Sequence, residues 1–169
     1  LTPLAPRIDF TRRTDPLPQF EKQNSGILIR DNILYSALPY ERELRPFLDA
    51  LSWITAPPPP AADIKALLDQ LTFTVPLKLY IAQACPHCPQ VVKTVVELAF
   101  YSRHILLEII DGSMFVSSAQ ADQVMAAPCL ILDNDFRWTG QVTALEICKL
   151  MVNRDPSMLS IQSLRTILE

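Results

Sequence analysis

Leu77-Lys78-Leu79-Tyr80-Ile81-Ala82, then Gln83-Ala84, then Cys85-Pro86-His87-Cys88-Pro89, then Gln90-Val91-Val92-Lys93-Thr94-Val95-Val96-Glu97-Leu98-Ala99: reading this run decides the fold. The first six residues read as a strand and the last ten as a helix, with a C-x-x-C pair at the junction. That placement points to redox chemistry far more than to a structural staple. Two sulfurs at this spacing can close a small ring, and a helix N-terminus stabilises the thiolate that reopens it. The chemistry expected of the pair is thiol–disulfide exchange.

The same residues assign roles within the turn. With the helix starting at residue 86, Cys85 is its N-cap and Pro86 takes the first helical position, where a missing N–H costs nothing. The free N–H groups of His87 and Cys88 then lie close to the Cys85 sulfur and favour its anionic form. His87 adds a donor, and a positive charge when protonated. Such settings lower a thiol pKa from ~8.5 into the range ~3.5–7.5. A stabilised thiolate favours the dithiol, so the disulfide becomes more oxidising. Pro89 lacks the N–H that would bond the Cys85 carbonyl four residues back, which predicts a loose first turn. Cys88 falls on the inward side, as a resolving thiol requires, and Cys85 is the attacking one.

Working outward, the chain of 169 residues has room for one ordinary domain or two small packed ones. It is 49% hydrophobic and 20% charged, with a net charge of −3, which suits a well-cored globule. There is no concentrated basic stripe, so nucleic acid is not an expected partner. No apolar run reaches the ~18 residues of a membrane span, so no membrane role is expected. The other two cysteines, Cys129 and Cys148, sit in apolar stretches and read as buried core thiols. His104 reads as a surface residue. Ligands crowded into one first turn rarely reach tetrahedral geometry, so the pattern calls for no metal and no other cofactor. The cysteine usage fits a cytoplasmic redox protein, and the start at Leu1 rather than Met leaves a periplasmic location open.

Residues 1–56 read as an arm rich in Pro, Arg and polar residues, followed by strand (Ile27 to Arg30), tight turn (Asp31-Asn32), strand (Ile33 to Tyr35) and helix (Tyr40 to Trp53). Leu44, Phe47, Leu48 and Leu51 recur along that helix at core-facing spacing, and Pro46 falls in its first two turns. Residues 57–72 hold a stiff proline run, Pro57 to Pro60, and a short connecting helix from Ala61 to Leu71 with Asp63 near its start. Residues 73–153 read strand (77–82), helix (86–101), strand (Ile105 to Asp111), short helix (Ser117 to Met125), strand (Cys129 to Leu132), turn, strand (Phe136 to Trp138) and helix (Thr143 to Val152). Residues 154–169 form a tail in which Asp155-Pro156-Ser157 signals a helix start, with Leu159, Leu164 and Ile167 as its apolar face and Leu168-Glu169 as a candidate cloning remnant.

An internal repeat runs through this order. Asp31-Asn32 matches Asp133-Asn134 at an offset of 102. Tyr35, Leu44, Phe47 and Leu48 then match Trp138, Ile147, Leu150 and Met151 at 103. The first copy has no room for a C-x-x-C of its own. It reads as a partial, degenerate half unit, against the alternative that any hairpin followed by a helix aligns comparably.

The β-α-β-α-β-β-α order of residues 73–153 is that of the thioredoxin fold, an α/β architecture. Cys85-Pro86-His87-Cys88-Pro89, then Val124-Met125-Ala126-Ala127-Pro128, then a hairpin ending in Gly140 resemble the small glutaredoxin-like thioredoxins. With the preceding half unit, the chain resembles the double-thioredoxin protein disulfide oxidoreductases and the N-terminal domain of the alkyl hydroperoxide reductase flavoprotein subunit. The resemblance implies a redox-active disulfide between Cys85 and Cys88, and a cis Ala127–Pro128 bond that places Pro128 beside the sulfurs. It also implies protein disulfides as substrates, and a flavoprotein reductase or peroxiredoxin-type partner to recharge or receive the electrons. Ala84 stands where thioredoxins usually carry Trp, and Leu79 stands where they carry a buried acid. Two readings follow: an oxidoreductase cycling Cys85 and Cys88, or a thioredoxin-fold binding or sensing module whose disulfide is not catalytic.

Overall fold

The computed structural model describes residues 11–20 and 24–154. The rest of the arm (1–10 and 21–23) and the tail at 155–169, with its expected docking helix, lie outside the described residues.

Two short strands come first, β1 (Ile27–Arg30) and β2 (Ile33–Ser36), paired antiparallel around Asp31-Asn32. Asn32 is buried, and its amide donates to the Ala99 and Ile105 carbonyls, both at 2.9 Å. The turn is thereby tied to the elements behind it. A 3-10 turn (Glu41–Glu43) leads into α1 (Leu44–Trp53). Pro46 sits near the start of α1, where its missing N–H breaks no helical bond. The buried face of α1 is Pro46, Phe47, Ala50 and Trp53. Leu44 and Leu48 are 44% and 39% exposed, contrary to the spacing argument. The helix is rotated so that the rings of Phe47 and Trp53 reach the core, where they pack edge-on against Tyr35 and Phe100.

After the proline run come α2 (Ala62–Leu68), β3 (Val75–Ile81), α3 (Cys88–Tyr101), β4 (Ile105–Asp111), α4 (Val116–Ala121), β5 (Cys129–Leu132), β6 (Phe136–Thr139) and α5 (Ala144–Asn153). From β3 onward the order is the expected β-α-β-α-β-β-α. The helix α4 stops at Ala121, short of the expected Met125, because Gln123 turns the chain away with a φ of 54°. The α5 N-terminus carries a capping box, in which Thr143 and Glu146 each satisfy the other's backbone N–H.

All six strands form one sheet in the order β1-β2-β4-β3-β5-β6. The strands β2, β4 and β3 run parallel, β5 pairs antiparallel with β3, and β6 pairs antiparallel with β5. The central strands are apolar throughout on one face and mostly apolar on the other, where Lys78 and Glu108 interrupt the pattern. One face carries Tyr35, Leu77, Leu79, Leu107 and Ile109 into the main core with α1, α3 and α5. The opposite face carries Tyr80, Ile110, Cys129 and Ile131, with Ala119 of α4 packed against them. On that second face Asp122 accepts from Lys78 Nζ at 2.8 Å and from the Tyr80 hydroxyl at 2.7 Å, while Arg137 donates to the Asp122 carbonyl at 2.7 Å. These bonds fix the end of α4 and the start of the loop that runs to Pro128.

Candidate functional site

The redox turn lies at the C-terminal end of β3, where an open parallel sheet leaves a crevice for chemistry. The Cys85 N–H donates to the Ala82 carbonyl at 3.0 Å, which folds the chain back as it leaves the strand. Cys85 and Cys88 form a disulfide, with their Cα atoms 5.5 Å apart. The Cys88 N–H donates to the Cys85 sulfur at 3.1 Å. Cys85 is 8% exposed and Cys88 is fully buried, so of the pair only Cys85 has any exposed surface.

The helix begins later than the sequence suggests. Regular α3 starts at Cys88 with His87 as its N-cap, so Cys85 is not the cap and Pro86 is not the first helical residue. Pro89 is the reason: it cannot donate to the Cys85 carbonyl, and at the helix entrance the Val91 N–H donates to the His87 carbonyl at 3.4 Å. Among the described residues, the bond to the Cys85 sulfur comes from the Cys88 N–H, with no counterpart from His87.

Pro86 and His87 are exposed at the mouth of the turn. The Ala127–Pro128 peptide bond is cis, Pro128 is buried, and Ala127 packs against the cluster that holds both cysteines. The Pro128 carbonyl accepts from the Gly140 N–H at 3.0 Å, which ties this loop to the end of the β5–β6 hairpin. One residue further on, the Gln141 side-chain nitrogen lies 3.0 Å from His87 Nδ1. Cys129 and Cys148 are buried free thiols, one on each face of the sheet, with Cys148 in the same core cluster as the pair. Burial raises the Cys129 pKa, and burial with the Asp63 charge pushes Cys148 up to about 12. His104 is exposed at the start of β4.

A buried acidic group, for which the sequence gives no sign, lies at the same end of the sheet. Glu43 is 3% exposed and Asp111 is 1% exposed. Asp111 closes β4 and accepts from the Ser113 and Met114 N–H groups at 2.9 and 3.4 Å. Burial, then the Asp111 charge, pushes the Glu43 carboxyl up to about 7, with the Tyr35 hydroxyl working the other way. Leu79, at the position where thioredoxins carry an acid, is fully buried in the apolar core. Glu43 falls in the run Glu41-Arg42-Glu43-Leu44-Arg45, whose composition is that of a solvated turn. No local signal separates it from its exposed neighbours.

Residues 75–153 match the model of the Thioredoxin domain family. Over 131 residues the chain is 24% identical to the F component of the Pseudomonas aeruginosa alkyl hydroperoxide reductase, covering 77% of this chain and 25% of that protein. It is 23% identical over 121 residues to an NADH dehydrogenase of Bacillus subtilis, covering 70% of this chain and 24% of that one. The chain thus spans about a quarter of the length of these curated relatives. Among solved structures, it resembles the NTD_N/C domain of the Enterococcus faecalis alkylhydroperoxide reductase AhpF, with a TM-score of 0.64 at 22% identity over 70% of this chain and 57% of that one. It also resembles a protein disulfide oxidoreductase from Aeropyrum pernix, with a TM-score of 0.63 at 18% identity over 70% and 53% of the two chains. The six-stranded sheet, the disulfide at the mouth of its central helix and these likenesses identify residues 75–153 as a thioredoxin domain, in a chain whose fold is similar to that of the NTD_N/C domain of AhpF.

Proposed function

We propose that this protein is a thiol–disulfide oxidoreductase in which Cys85 and Cys88 cycle between disulfide and dithiol. The observation that carries the reading is the asymmetry of the pair: Cys85 is the reachable sulfur and accepts an N–H bond, while Cys88 is buried behind it. In the reductive direction, the Cys85 thiolate attacks a protein disulfide and expels one partner sulfur as a thiolate that takes up a proton. Cys88 loses its proton and attacks Cys85, which releases the second partner sulfur. Two electrons pass to the partner and the Cys85–Cys88 disulfide is left. A dithiol donor reverses the sequence by attacking Cys85. Pro86, His87 and Pro128 flank this path as supporting residues.

Relatives named as an alkyl hydroperoxide reductase and an NADH dehydrogenase support a place in an electron relay, with a flavoprotein reductase as donor and a peroxiredoxin-type protein as acceptor. Redox titration with thiol trapping tests the reading. An oxidoreductase gives a reversible two-electron couple in the range ~−270 to ~−120 mV, whereas a structural bridge resists reduction to below about −300 mV. Cys85→Ser should abolish insulin reduction, and Cys88→Ser should accumulate mixed disulfides through Cys85. If both variants turn over like the wild type, the reading fails.

A further inference from the structure

On the sheet face opposite the main core, three elements are joined through the guanidinium of Arg137 on β6. Its Nη1 donates to the Asp122 carbonyl at 2.7 Å and to the Gln123 carbonyl at 3.0 Å. The roles in these bonds are fixed, because a guanidinium only donates and a backbone carbonyl only accepts. The Asp122 carboxylate in turn accepts from Lys78 and Tyr80 of β3, at 2.8 and 2.7 Å. One node therefore ties together β6, β3 and the chain leaving α4.

Each of the three runs on to the redox mouth. Tyr80 stands five residues before Cys85, Asp122 six before Pro128, and Arg137 four before Gln141, whose side chain touches His87. The segments also meet one another there, through the Gly140 N–H donated to the Pro128 carbonyl. Of the three, the stretch from Asp122 to Pro128 depends most on the node. Strand pairing already holds β3 and β6. The N–H groups of Asp122, Gln123 and Val124 bond only back into α4, to the Ser118, Gln120 and Ala119 carbonyls. Gln123 has a φ of 54°, a conformation that a residue with a side chain keeps where its surroundings impose it. Its carbonyl is one of the two that Arg137 holds. Beyond it, Met125 is 94% exposed and Ala126 is exposed as well, so packing contributes little there.

Resting on the redox reading above, we propose that Arg137 is a positioning residue: by holding the Asp122 and Gln123 carbonyls it makes the stretch from Val124 to Pro128 a fixed wall on which a partner protein seats its disulfide over Cys85. A small disulfide needs the Cys85 sulfur and little of that wall. Arg137 therefore bears on the binding of protein disulfides and not on the exchange between sulfurs.

The test uses the whole chain, reduced beforehand, as wild type, Arg137→Ala and Arg137→Lys. Each is mixed with insulin or with glutathione disulfide, and thiol trapping follows the oxidation of Cys85 and Cys88. In both reactions the dithiol passes two electrons and two protons to the substrate disulfide, which leaves as two thiols. With insulin, Arg137→Ala should raise the half-saturating concentration about tenfold and leave the limiting rate unchanged. Its rate with glutathione disulfide should stay at the wild-type value. Arg137→Lys keeps the charge but reaches one carbonyl at a time, so the rise with insulin should be about threefold; if Arg137→Ala does not fold, this variant decides alone. Hydrogen exchange at the Val124 N–H should quicken about tenfold in Arg137→Ala. An unchanged half-saturating concentration for insulin, an equal loss with both disulfides, or unchanged exchange at Val124 overturns the proposal. A wild type oxidised by neither disulfide instead overturns the redox reading, and the exchange at Val124 still decides whether Arg137 holds the loop.

Discussion

Replacing Glu43 with Gln should stabilise the protein at pH 8 and leave it nearly unchanged below pH 4.5. Glu43 is almost fully buried, and burial together with Asp111 raises its carboxyl from 4.5 to about 7. Between those two values the folded protein holds a proton that the unfolded chain has released. Stability therefore falls as pH rises through that window and stays lowered above it. At ~1.4 kcal/mol per pH unit, the wild-type penalty above pH 7 is about 3 kcal/mol. Gln keeps the size and polarity of the side chain but cannot ionise, so it escapes the penalty. Urea unfolding at both pH values, with the disulfide oxidised, reads the difference. With a slope of ~1–3 kcal/mol per molar urea, the pH 8 midpoint should rise by about 1 M or more. An equal midpoint difference at both pH values would refute the argument, because it would mean that Glu43 does not titrate in that window.

The two other thiols should behave differently from the redox pair. After reduction, brief alkylation at neutral pH should modify Cys85 first, and Cys129 and Cys148 only after denaturation, as peptide mass mapping would report; labelling of Cys148 in the native protein would contradict its burial. Ile109→Ala opens a cavity between Tyr35 and Leu79, and chemical denaturation should show a loss of about 2–5 kcal/mol. Thr143→Ala removes the cap of α5 and should cost about 1 kcal/mol by the same measurement.

The strands and helices of residues 75–153 are legible in the sequence because their signals are local. Ile105 to Asp111 alternates little and reads as a doubly buried strand, and it is one. Thr143 announces α5 through a cap that depends only on Glu146 three residues on. The start of α3 is harder to place, because Pro86 and Pro89 give conflicting signals and the missing N–H of Pro89 prevails. The orientation of α1 is ambiguous for a different reason. Leu44, Phe47, Leu48 and Leu51 satisfy a helical period, but so do Phe47, Ala50 and Trp53, and the sheet beneath selects the second set. Burial of Glu43 and Asp111 is invisible because it arises from two segments far apart in sequence meeting at one end of the sheet. The Gln141–His87 contact is unreadable for the same cause.

The antiparallel hairpin β1–β2 adds to the sheet through β2 alone, which runs parallel to β4 from Ile33 beside Leu107 to Ser36 beside Ile110. Without that hairpin, β4 would present a bare row of backbone donors and acceptors flanked by largely apolar side chains, a template for pairing with another chain. A fragment beginning at residue 37 would keep α1, α2 and its cysteines yet gain a sticky margin, so self-association rather than lost chemistry would be its first failure.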